Sequence, residues 1–160
     1  MKRCAPLLAL AFALLCLPGL ADAGDKPIQL SLFEPIQLQS ADQSIRGLRL
    51  NLIYGVNHNV TGIDLGLVNK ATGDVLGYEG GIVNLVDGNF TGLQEGWVNV
   101  VKGRTVGVQA GLYNSSGPVS GLQFGLWNTT DALHGLQIGL LNFNKSGEPM
   151  GFLPIVNWSF

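Results

Sequence analysis

Cysteine is nearly absent from this 160-residue chain, and its two cysteines, Cys4 and Cys16, both lie close to the N-terminus. Charge is also scarce, at 12% of residues. So are helical patterns, because no segment repeats its apolar residues with a period near 3.6, and 23 glycines would weaken any helix. Outside the N-terminal apolar run no segment is apolar for 18 residues, so no ordinary transmembrane helix is expected. Each shortage removes a class of function. Few cations give no electrostatic footprint for nucleic acid. With only His58 and His134, no histidine pair has ligand spacing, and a metal site is not expected. The glycines have neither the phosphate-loop nor the dinucleotide arrangement, since both need a helix after a strand. Neither Ser115 nor Ser116 lies in a nucleophile-elbow context. No catalytic residue, cofactor or metal is therefore expected, and the chain is read as a non-enzyme.

The first residues read as an address. Lys2 and Arg3 precede an apolar run from Leu7 to Leu17, Pro18 and Gly19 break it, and Ala21-Asp22-Ala23 supplies a small-x-small cleavage signal. This predicts a secretory signal peptide over residues 1–23 and a mature start at Gly24. The mature chain then has 160 − 23 = 137 residues, with 9 − 2 = 7 basic and 11 − 1 = 10 acidic side chains, net −3. It retains no cysteine, and so no disulfide or thiolate site. Residues 24–46 are expected to form an N-terminal strand and linker, and residues 47–160 a β-repeat domain.

What is abundant is a repeat close to G-L-Q-x-G-L-x-N. Its first glycines are Gly47, Gly62, Gly77, Gly92, Gly107, Gly121 and Gly135, at intervals of 15, 15, 15, 15, 14 and 14. Counting each first glycine as position zero, position one is Leu48, Ile63, Tyr78, Leu93, Val108, Leu122 and Leu136, and position five is Leu52, Leu67, Ile82, Trp97, Leu112, Leu126 and Leu140. Position four is glycine except for Asn51, and position seven is asparagine except for Tyr54. Alternation of period two is a strand signal, so the fold class is all-β.

Two connectivities fit. If Asp87-Gly88 is a two-residue hairpin turn, Ile82 faces Leu93, Tyr78 faces Trp97 and Val86 faces Asn89. Thr72-Gly73 and Lys102-Gly103 then fall at equivalent turn centres. This favours an antiparallel meander of about 8–9 strands. Closing it as a small barrel would remove its edges. The alternative is a parallel β-solenoid with one coil per repeat, which would turn position seven into an internal asparagine ladder.

The ending, Phe152 to Phe160 with Trp158, resembles the closing strand of bacterial outer-membrane barrels. Short connections and the outward carboxylate expected at Glu95 argue against such a barrel. The units Gly121-Leu122-Gln123-Phe124-Gly125-Leu126-Trp127-Asn128 and Gly135-Leu136-Gln137-Ile138-Gly139-Leu140-Leu141-Asn142, with Leu153-Pro154-Ile155-Val156-Asn157, resemble a bacterial family of surface-repeat proteins first named in spirochaetes. The resemblance spans residues 47–157. It implies an exported repeat protein of unsettled biochemical role, and it brings no catalytic or binding residues.

The candidate functional feature is the position-two column, Arg49, Asp64, Glu79, Gln94, Gln109, Gln123 and Gln137. It could line a pore or hold an acid–base pair of carboxylates. The blander reading, which is favoured, is a satisfied polar interior or simply a solvated face, and small glycines beside long glutamines suggest a filled interior rather than an open channel. Trp97, Tyr113 and Trp127 offer aromatic surface for a glycan, or simply packing. The expected role is a structural, outer-membrane-associated or surface protein. A soluble periplasmic or surface module binding a glycan or protein is the alternative.

Overall fold

The computed structural model describes residues 24–160, so the proposed signal peptide lies outside the described residues. All its regular structure is β: β1 (Lys26–Phe33), β2 (Ile36–Gln37), β3 (Ile45–Asn57), β4 (Val60–Ala71), β5 (Val75–Val86), β6 (Phe90–Glu95), β7 (Val98–Val101), β8 (Thr105–Asn144) and β9 (Phe152–Ser159). They form a single right-through stack, a parallel β-solenoid. β3, β4 and β5 are one coil each, β6 and β7 together make the fourth, and the long β8 winds through three more. The coils begin at Ile45, Val60, Val75, Phe90, Thr105, Val119 and Leu133.

Like positions pair with like in parallel register. Gly47 lies beside Gly62, Gly62 beside Gly77, Gly77 beside Gly92 and Gly92 beside Gly107. The all-β class and the solenoid alternative describe the chain, while the antiparallel meander and the closed barrel do not. The turns explain the difference. In a hairpin, the backbone around Asp87-Gly88 would bond across itself. Here Asp87 N–H donates to the Ala71 carbonyl at 3.0 Å and Gly88 N–H to the Gly73 carbonyl at 3.0 Å, so each turn rests on the turn before it. Tyr78 accordingly meets Leu93, not Trp97.

The first glycine is where the chain demands glycine. Gly92 has φ +135°, and a Cβ there would overlap the carbonyl of Gly77 one coil below. The same geometry recurs at the other six first glycines.

Both ends of the stack are covered. β1 pairs in parallel with β3, and β2 folds back on β1. At the other end β9 runs antiparallel over the whole last coil, from Gly135 beside Ser159 to Phe143 beside Phe152. Nine layers spaced as strands in a sheet give a height of roughly 38 Å.

The inside of each coil is lined from four positions. Two residues before the first glycine and nine residues after it, apolar side chains meet in a small core of Val60, Ala71, Val75, Val86, Phe90 and Val101. Positions two and seven point between the same walls but are polar. The leucine-rich positions one, three, five and six point outward. The hydrophobic alternation was legible in the sequence, but its larger part faces away from the core.

Candidate functional site

The position-two column is fully buried along its whole length. Its members are not diagonal neighbours, as the meander required, but stand directly over one another: Arg49 beside Asp64, Asp64 beside Glu79, Glu79 beside Gln94 and Gln94 beside Gln109. At the amide end, Gln94 donates to Glu79 Oε2 at 2.7 Å. Gln109 donates to Gln94, Gln123 to Gln109 and Gln137 to Gln123, each at 2.8 Å. Every link joins a side chain to its equivalent one coil away, which parallel register alone allows.

The charged end is a three-residue cluster. The Arg49 fork grips the Asp64 carboxylate with two bonds, Nε to Oδ1 at 2.8 Å and Nη2 to Oδ2. Its Nη1 donates to the Lys70 carbonyl at 2.8 Å. Buried arginine is tolerated only with such full pairing. Glu79 has no second cation. Burial and the neighbouring Asp64 charge push its pKa from 4.5 up to about 8, with the Gln94 bond and Arg49 opposing. Its Oε1 has no donor facing it. As a neutral acid it turns that oxygen into a donor toward Asp64, and Arg49, Asp64 and Glu79 together then carry no net charge.

Position seven forms a second ladder. Asn69 donates to Asn84 at 2.9 Å, Asn84 to Asn99 and Asn99 to Asn114 at 2.8 Å, Asn114 to Asn128 at 2.9 Å, and Asn128 to Asn142 at 2.8 Å. These bonds run toward the C-terminal coils, whereas the glutamine bonds run toward the N-terminal ones, so the two rows of amide dipoles oppose each other. The second N–H of each asparagine reaches a carbonyl at the corner between positions three and five: Asn69 to Gly80, Asn84 to Glu95, Asn99 to Ala110, Asn114 to Phe124 and Asn128 to Ile138, at 2.8–3.0 Å.

The two exceptions in the first repeat explain each other. β3 has one extra residue, which places Gly55 opposite Asn69 and Tyr54 opposite Val68. The missing amide is supplied by Asn51, which donates to Asn69 Oδ1 at 2.8 Å from across the corner. Reading the sequence by repeat also missed the ends of the position-two column. Gln29 of β1 pairs with Arg49, and Asn157 of β9 donates to Gln137 Oε1 at 3.3 Å. Neither lies in a repeat. The sequence signal was that each is an amide in a predicted strand, with Asn157 also ending the segment Leu153–Asn157 that carries part of the resemblance.

Both polar columns are buried, and Asn51 joins them by donating to Asp64 Oδ1 at 3.2 Å as well as to Asn69, so the column presents no surface to a pore or a substrate. Other candidates are scattered. Tyr113 and Trp127 pack with ring centroids 6.3 Å apart, and Phe143 and Phe152 extend the row at 5.3 and 5.0 Å, while Trp97 stands on the corner at position five. His58 Nδ1 lies 3.2 Å from Thr72 Oγ1 in an exposed turn. Among the described residues, no three metal-binding side chains cluster. No family model, no curated protein and no solved structure matches the chain.

Proposed function

We propose that the chain is an exported, non-enzymatic structural protein of a bacterial envelope, resident at the outer membrane or cell surface and belonging to the surface-repeat family that its units resemble. The observation that carries this reading is where polarity sits. The side chains capable of acid–base chemistry in the column are sealed in the interior, Asp64 bonded to Arg49 and Glu79 to Gln94. What repeats on the outside, coil after coil, is apolar surface with little relief. Such a molecule is suited to extended contact rather than turnover. The signal-like layout of residues 1–23 supports export. The test is fractionation of cells expressing the full chain, with N-terminal sequencing of the product. Cleavage after Ala23 and recovery with the outer envelope support the proposal; an unprocessed cytoplasmic product refutes it.

The aromatic row Tyr113, Trp127, Phe143 and Phe152 favours the second reading, a soluble module that binds a glycan. That reading expects release in the periplasmic fraction and a Trp127 fluorescence change with soluble oligosaccharide.

A further inference from the structure

The seven coils are amphipathic in cross-section. Positions one, three, five and six make up 4 × 7 = 28 outward sites, and every one is apolar or aromatic except Gly80 and Glu95. They cover the corner and the parts of both sheet faces beside it, while farther from the corner the outward sites include polar side chains such as Arg46, Thr91, His134, Lys70, Ser115 and Thr129. The corner row is the most exposed, with Leu52 67%, Trp97 63% and Leu140 59% accessible. Charge collects at the other edge, where Asp87 bridges Lys70 at 2.6 Å and Lys102 at 2.8 Å and Asp131 meets Lys145 at 2.8 Å.

We infer that this apolar corner inserts into one leaflet of a lipid bilayer, with the solenoid axis parallel to the membrane plane and the charged edge in water. The inference rests on the envelope reading above and names its partner. Three features select lipid over a second copy or another protein. The apolar surface wraps around a convex corner and both faces beside it, so a single folded partner would cover one side and leave the others bare, whereas a lipid phase surrounds all three. The corner is also where the sheet bends, and there the asparagine ladder donates from within to the carbonyls of Gly80, Glu95, Ala110, Phe124 and Ile138, that of Ala110 accepting from Gly96 N–H at 3.0 Å as well; a hydrocarbon environment demands such internal satisfaction of the backbone. Finally, an open apolar groove between the N-terminal cap and the first coils, lined by Leu30, Leu32, Ile36, Leu38, Leu52 and Leu65, opens onto the same corner and offers an acyl chain a continuous path. Glu95 is the exception, and the Tyr78 hydroxyl donates to it at 2.7 Å.

The test uses the mature chain and vesicles of phosphatidylcholine with phosphatidylglycerol. Flotation should carry the protein with the vesicles, and this should persist in high salt because the contact is apolar. Lipids brominated on their acyl chains should quench Trp97. Replacing two corner residues, Leu112→Glu and Leu126→Glu, should weaken flotation by more than about tenfold with the β-sheet spectrum unchanged. Glu95→Leu should strengthen it, and Lys102→Ser at the charged edge should leave it unchanged. Quenching of the unmodified chain needs no variant to fold. Protein that remains in the aqueous phase, or that buries Trp97 in a lipid-free dimer, would overturn the inference. Either result leaves the exported address to fractionation, which fails or holds on its own.

Discussion

The first three coils and the last four stack in the same parallel register at position two but fill it differently. Arg49, Asp64 and Glu79 form a charged cluster that is satisfied only as a set, whereas Gln94, Gln109, Gln123 and Gln137 form a neutral ladder in which each member repeats the one before. An amide carries its own donor and acceptor, so a column of amides can be extended by one coil without change. A column of ions cannot: each charge must be matched by its neighbours, and the match ends at Glu79, where a proton takes the place of a missing cation. The asparagine column is neutral throughout and makes no such distinction between the two ends.

The largest expected break is at the charged end. Arg49→Met should cost about 3–5 kcal/mol in urea unfolding, because Asp64 would remain buried without a cation, keeping only the Asn51 amide at 3.2 Å. Cutting the amide column should cost less. Asn99→Ala removes the acceptor of Asn84 and the donors to Asn114 and to the Ala110 carbonyl, a loss of about 2–3 kcal/mol measured the same way.

Glu79→Gln sharpens the comparison by making the charged end more like the neutral one. The folded pKa of Glu79 is raised, so the folded chain binds its proton more tightly than the unfolded chain does. Its contribution is therefore complete below about 4.5 and lost as pH rises through about 8. The variant should unfold at the same urea concentration on both sides of that range, while the parent weakens at the alkaline side. A parent midpoint that does not fall with rising pH would show Glu79 to be ionised in the fold. The smallest effect is expected outside the column. Asp87→Asn loosens bridges to Lys70 and Lys102 at the wet edge and should cost less than about 1 kcal/mol.

Much of the layout could be read from residues alone. The period gave the coil boundaries, the alternation gave the strands, and the position-two residues were picked out as a group. Connectivity was not legible, because stacking and hairpin pairing both bring leucine-type residues together: Tyr78 meets Leu93 in one and Trp97 in the other. The clue lay in the amides. Stacked in parallel, Asn84 and Asn99 satisfy each other, while the hairpin offers them no identical partner. The sense of the faces was hidden for a related reason. Burial of the leucine rows is the ordinary expectation, yet the interior is narrow and the two ladders fill it, so Leu67, Leu112 and Leu140 are left outside. The first repeat misled locally, since one inserted residue in β3 moved the amide from the position-seven site to Asn51.

Parallel, in-register stacking underlies the ladders, the proton on Glu79 and the apolar corner alike. Nuclear Overhauser contacts in the isotope-labelled chain test it most directly. The account predicts cross-peaks joining Tyr78 to Leu93 and the side-chain amides of Asn84 and Asn99. Cross-peaks joining Ile82 to Leu93 and Tyr78 to Trp97, as a ribbon folded at Asp87-Gly88 would give, would contradict it.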